Sequence, residues 1–212
     1  MDIAILLFDR VTALDAVGPY EVLSRIPGST VTFVATEPGP KRTDTGRLAL
    51  VADASLGDLP RPEVVVVPGG PGQADAERDD AVLHWLRTAH ESTTWTTSVC
   101  TGSLVLGAAG LLQGLRATTY WLALESLSRY GAIPTDARVV EDGKVMTAAG
   151  VSSGIDMALT LTARLHGDDL AQMLQLGIEY DPQPPFDSGS AHKAPASIVD
   201  YFRARSRFVL EG

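Results

Sequence analysis

The run Glu63-Val64-Val65-Val66-Val67, cut off by Pro68-Gly69-Gly70-Pro71-Gly72, constrains the fold more than any other stretch of this chain. β-Branched residues in succession are stiff at χ1 and suit a pleated strand. Neighbouring strand residues point to opposite faces, so an unbroken apolar run needs apolar cover on both. That is the position of a central strand in a parallel sheet. Similar runs occur at Ile3 to Phe8, Val31 to Ala35 and Thr93 to Val99. Helical spacing marks Asp79 to His90, Gly102 to Leu112, Trp121 to Tyr130, Gly154 to His166, Asp168 to Gly177 and Ala196 to Phe208. Gly114 and Gly131 fit as helix stops, and Val139 to Met146 reads as a hairpin turned by Asp142-Gly143. The alternation predicts an α/β fold, a mainly parallel sheet covered by helices on both faces. The Pro-rich segment Asp181 to Pro185 is too short to be a linker, so residues 1–212 are expected to form one domain.

Charge and cysteine content narrow the function classes. With 17 basic and 26 acidic residues the net charge is −9. A nucleic-acid binder needs a basic face, so no nucleic-acid partner is expected. No apolar run approaches the roughly 20 residues that span a bilayer. The N-terminus carries an acid where a signal peptide has positive charge. These features predict a cytoplasmic protein with no membrane partner. The single cysteine, Cys100, excludes an intrachain disulfide and any multi-cysteine metal site.

Cys100 lies in Thr97-Ser98-Val99-Cys100-Thr101-Gly102-Ser103, between a β-branched strand and an apolar helix. A lone cysteine is most often buried and inert. A strand-to-helix turn at the carboxyl edge of a parallel sheet is, however, where ligands bind and where a nucleophile elbow exposes its side chain. The helix N-terminus is expected to lower the thiol pKa. A nucleophile also needs an oxyanion site and a proton handler. The Pro68 to Gly72 turn falls at the same sheet edge; Pro71 has no N–H, which leaves the Gly70 N–H as donor with the Thr101 N–H as partner. A plain strand-to-loop turn is the competing reading. None of the four histidines, His84, His90, His166 and His192, sits in a pattern that pairs it with the cysteine. Asp15, after the first strand and flanked by Leu14, Ala16 and Val17, is a carboxylate whose apolar setting raises its pKa toward acid/base duty. Thr12 and Asp15 equally match a weak capping box, and the residues alone do not choose between the two roles.

Taken together, V-C-T-G-S at a strand-to-helix turn, P-G-G after a valine strand and L-D-x-x-G-P-x-E after the first strand resemble the ThiJ/PfpI superfamily. The stretch from Thr97 to Gly114, the Ala117-Thr118-Thr119 segment, the helix Gly154 to Leu161, Ile178-Glu179-Tyr180 and Pro184 to Asp187 resemble its isocyanide hydratase branch. The resemblance implies a flavodoxin-like sandwich, a homodimer and no cofactor or metal. It places the nucleophile on Cys100, the acid/base carboxylate on Asp15 and oxyanion donors on Gly70 and Thr101. The family often reads A-T-T-H-W where this chain has Tyr120 before Trp121, which weakens branches that use a Cys-His pair. Tyr120, Trp121 and Val151 are candidate pocket residues for a small-molecule isocyanide. The implied reaction is hydration of R–N≡C to an N-formamide through a cysteine thioimidate. Two other classes stand beside it. One is a redox sensor whose cysteine is oxidised to sulfinic acid. The other is the ligand-binding half of a transcription regulator, disfavoured by chain length and acidity.

Overall fold

The valine run becomes a strand, Val64–Val67, in which every residue is buried. The computed structural model describes residues 1–210; Glu211 and Gly212 of the expected domain lie outside the described residues. In chain order the elements are β1 (Asp2–Leu6), α1 (Ala13–Leu23), β2 (Thr30–Ala35), β3 (Gly39–Arg42), β4 (Ala49–Ala52), β5 (Ala54–Ser55) and β6 (Val64–Val67). There follow α2 (Gln73–Ala76), α3 (Asp80–Ser92), β7 (Trp95–Val99), α4 (Gly102–Ala108), β8 (Arg116–Ala117), a 3-10 helix (Trp121–Tyr130) and β9 (Ile133–Pro134). The chain continues with β10 (Val139–Asp142), β11 (Val145–Ala148), α5 (Ser153–His166), α6 (Asp168–Gly177), α7 (Ala196–Arg203) and α8 (Arg207–Leu210).

Seven strands form the main sheet in the order β10-β11-β7-β6-β1-β2-β5. All neighbours are parallel except the β10/β11 hairpin. The period of two decides which core each valine joins. Val65 and Val67 pack with Trp85, Leu86, Leu104 and Leu127 beneath α3, α4 and the 3-10 helix. Val64 and Val66 pack with Val22, Leu23, Met157 and Leu161 beneath α1 and α5. Each buried valine contributes roughly 1.5–3 kcal/mol relative to exposure. From β1 the chain steps to β2 on one side of the sheet and then to β6 and β7 on the other. This reversal of strand order leaves a crevice above the carboxyl ends of β1 and β6. Among the described residues no helix is long and apolar enough to cross a membrane.

Several local expectations are corrected. α4 ends at Ala108, not Leu112, and Gly110 takes the left-handed turn at φ 82°; Gly114 serves a later turn at φ 75°. Trp121–Tyr130 winds as a 3-10 helix, closed by left-handed Gly131 at φ 69°. The hairpin loop is Gly143-Lys144, with Asp142 still in its strand. The last helix is broken at Ala204 to Ser206 into α7 and α8. Finally, the sequence marks α1 only by the weak Thr12/Asp15 capping pattern at its start, and the β3–β4 hairpin not at all.

Candidate active site

Three strand ends build the site. Asp15 enters from the first turn of α1, after β1; Gly69 and Gly70 follow β6; Cys100 follows β7. Cys100 adopts φ 56°, one of three non-glycine residues with positive φ among those described. That conformation costs an L-residue roughly 1–2 kcal/mol and persists because the backbone is held on both sides. The Cys100 N–H donates to the carbonyls of Ala148 (3.0 Å) and Ala149 (2.9 Å). Its own carbonyl accepts from Thr119 Oγ1 (2.8 Å) and Ser103 Oγ (3.3 Å). The twist aims the side chain into the crevice in the manner of a nucleophile elbow, at 5% exposure.

Asp15 is fully buried. Its Oδ2 accepts the Gly69 N–H at 2.9 Å, while Oδ1 is buried without a hydrogen-bond partner. The capping reading does not hold: Thr12 makes no side-chain cap, and its hydroxyl donates to Asp44 Oδ2 at 2.9 Å instead. The carboxyl and the Cys100 thiol face each other closely enough that each perturbs the other's ionisation. Burial raises the Asp15 pKa from an ordinary 3.8 to about 7, against the lowering effect of the Gly69 N–H and the thiol. Burial also pushes the thiol up, and the neighbouring Asp15 charge adds to it. The expected lowering of the Cys100 pKa is therefore reversed. The Thr101 and Val151 N–H groups facing the sulfur do lower it, but burial outweighs them. No histidine is among the groups that shift either residue.

The glycines differ in role. The Gly70 N–H, at φ 127°, donates to Thr101 Oγ1 at 3.0 Å. The Gly70 and Thr101 N–H groups thus do not converge on one empty point here; the first holds a hydroxyl and the second faces the sulfur. Gly69 is the residue that reading the sequence overlooked. A Cβ there would stand 2.5 Å from Thr101 N and 3.0 Å from Asp15 Oδ2, so only glycine leaves the crevice open. The tandem Gly69-Gly70 was the available signal. Tyr120 is half-buried, packs against the cluster that contains Cys100, and would feel a charge on the sulfur. Trp121 meets it edge-on, with ring centroids 6.1 Å apart. Both line a cleft of about 140 Å³ with the loop at 188–194 and α7. Val151 does not line that cleft, and its part in the site is its N–H. Among the described residues no group of three or more His, Cys, Asp or Glu side chains could hold a metal ion.

A parallel sheet with a positive-φ cysteine at its carboxyl edge, paired with a buried carboxyl, defines a cysteine-centred α/β protein of flavodoxin-like architecture. The sequence profile of the DJ-1/PfpI family matches residues 1–164. The chain belongs to that family. It is 47% identical over 206 residues to the isonitrile hydratase of Pseudomonas putida, covering 97% of this chain and 90% of that protein. The crystal structure of a ThiJ/PfpI family protein from Pseudomonas syringae superposes with a TM-score of 0.94 at 38% identity, covering 98% of this chain and 87% of that one. A Pseudomonas aeruginosa HTH-type transcriptional regulator, CdhR, is 30% identical over 162 residues, and this chain spans 48% of its length.

Proposed function

We propose that this protein is an isocyanide hydratase, converting R–N≡C and water to R–NH–CHO. The observation that carries the reading is the buried Asp15 carboxyl, one oxygen free of partners, set against the Cys100 thiol. With the thiol protonated at rest, the carboxylate must take its proton as the sulfur attacks. The S–C bond forms at the terminal isocyanide carbon, and the Thr101 and Val151 N–H groups steady the developing thiolate. Asp15 then returns the proton to that carbon, giving the thioimidate R–N=CH–S. Water adds to the same carbon as Asp15 takes one of its protons; Asp15 passes that proton to nitrogen, and the C–S bond breaks as the new hydroxyl gives its proton to sulfur, releasing formamide and thiol. One carboxyl alternates between base and acid through both halves of the cycle, which a pKa about 7 suits. Gly70 acts by holding the Thr101 hydroxyl, so that the donor turn is preformed.

The similarity to the Pseudomonas putida isonitrile hydratase over 97% of the chain supports the substrate class. The redox-sensor reading asks for an exposed, low-pKa thiolate, and Cys100 is neither. The same proposal carries a cytoplasmic homodimer built of one domain per chain, working without a cofactor. Formamide production from phenyl isocyanide, followed by absorbance, is expected for the wild type and absent in Cys100→Ala; equal rates in the two would overturn the mechanism.

A further inference from the structure

We infer that Arg138, Asp156 and Tyr180 are positioning residues that hold the turn at 149–152 against Cys100. The inference rests on the hydratase reading, since it concerns a donor used in that reaction. The turn joins β11 to α5 and meets the nucleophile twice. The Ala149 carbonyl accepts the Cys100 N–H at 2.9 Å and so helps keep the cysteine at φ 56°. Two residues on, the Val151 N–H faces the sulfur. Arg138, the residue before β10, holds this turn at both ends. Its carbonyl accepts the Ala149 N–H at 2.9 Å. Its Nη2 donates to Ser152 Oγ at 3.3 Å, beside Val151.

A long cationic side chain loses much rotamer freedom when it is fixed, and here other elements do the fixing. Asp156, in the first turn of α5, accepts on Oδ2 from Arg138 Nε at 2.7 Å and lies 2.5 Å from Nη2. The Tyr180 hydroxyl donates to the same oxygen at 3.1 Å. The Gly154–Leu161 stretch and the Ile178-Glu179-Tyr180 segment thereby meet at one atom. An acid in the first turn of a helix is favoured by the helix dipole alone, but that role needs neither a tyrosine nor an arginine anchored to the neighbouring turn. A second ion pair separates positioning from stability. Arg164 Nε and Glu141 Oε2 meet at 2.9 Å and tie the same helix to β10, with side-chain exposures of 52% and 35% against 50% and 33% for Arg138 and Asp156. It sits at the far end of α5, away from the turn. Pairs this exposed contribute little to stability, so a difference between them in turnover reports on the turn.

The test measures pH profiles of phenyl isocyanide hydration, with kcat taken per folded chain. Displacing the Val151 N–H weakens support for the developing thiolate and leaves Asp15 and Gly69 untouched. The kcat plateau should therefore fall about tenfold in Arg138→Met and in Asp156→Asn, against 10²–10³ for outright loss of a transition-state donor. KM and the limb midpoint at about 7 should stay as in wild type. Tyr180→Phe, which removes one donor and no charge, should lower the plateau about threefold. Arg138→Lys should recover part of what Arg138→Met loses, and Arg164→Met should keep the wild-type plateau. Equal plateaus in wild type, Arg138→Met and Asp156→Asn, or the same fall in Arg164→Met, overturn the positioning role and leave the hydratase reading standing. A wild type without turnover overturns both.

Discussion

Asp15 and Cys100 share a problem at the scale of single residues: each is more easily neutral than charged, yet the chemistry needs one proton to move between them. Because Asp15 must be ionised to accept that proton, kcat/KM should rise with pH along a limb centred at about 7. That midpoint belongs to the pair rather than to either group alone. Asp15→Asn should lose the limb and roughly 10²–10⁴-fold in rate; a pH–rate profile of both proteins checks it. The same burial has a stability side. A folded-state pKa raised from 3.8 to about 7 means that folding favours the protonated acid. The unfolded chain ionises first as pH rises, so stability is full below about 4, falls through the interval and levels off above about 7. The total amounts to roughly 4 kcal/mol at most. Asp15→Asn, which keeps an acceptor for the Gly69 N–H, should melt above wild type at pH 8, with the gap closing toward pH 4. Equal melting temperatures across that range would contradict the assignment of a buried, uncompensated carboxylate.

Elements carry the geometry, and their contacts explain which parts were readable beforehand. The valine strand and the Cys100 turn were legible because an apolar run of strand length next to glycine has few other uses. α1 was not, because Gly18 and Pro19 interrupt it. Pro19 sits inside the helix without an N–H to donate, and its ring lies where Gly154 of α5 leaves room; a Cβ at 154 would be 3.2 Å from Pro19 and 3.1 Å from Val99. Interhelical packing thus overrides local propensity, and no single stretch displays it. β3 and β4 were hidden for a different reason. Gly39-Pro40-Lys41-Arg42 has no apolar face and pairs as a separate two-stranded hairpin off the main sheet. The site was half legible: cysteine, carboxyl and glycine turn each had a signal, but the direction of the thiol shift depends on burial, which appears only in three dimensions. One contact fixes how closely α4 seats on β6. A Cβ on Gly102 would press against the Val67 carbonyl and stand 2.8 Å from Pro68 O. Gly102→Ala should therefore destabilise by about 1–3 kcal/mol, read as a lower urea midpoint, and should displace Thr101 and its N–H from the sulfur.

At the scale of the whole molecule, the three most exposed large apolar side chains among the described residues lie late in the chain: Met173 and Leu176 on α6, and Phe186. A homodimer is expected to show about twice the chain's 22.4 kDa by light scattering, and Leu176→Lys should shift the mass toward the single chain if α6 takes part. The borders of the sheet bear on how copies could meet. One border is β5, two residues long; the other is β10, four residues long and ending in Glu141 and Asp142. Unpaired strand edges are the usual templates for runaway polymerisation, and short or charged edges suppress it. Here one border is too short to recruit another strand and the other closes on two acids, so copies of the chain are guarded against stacking edge to edge along the main sheet.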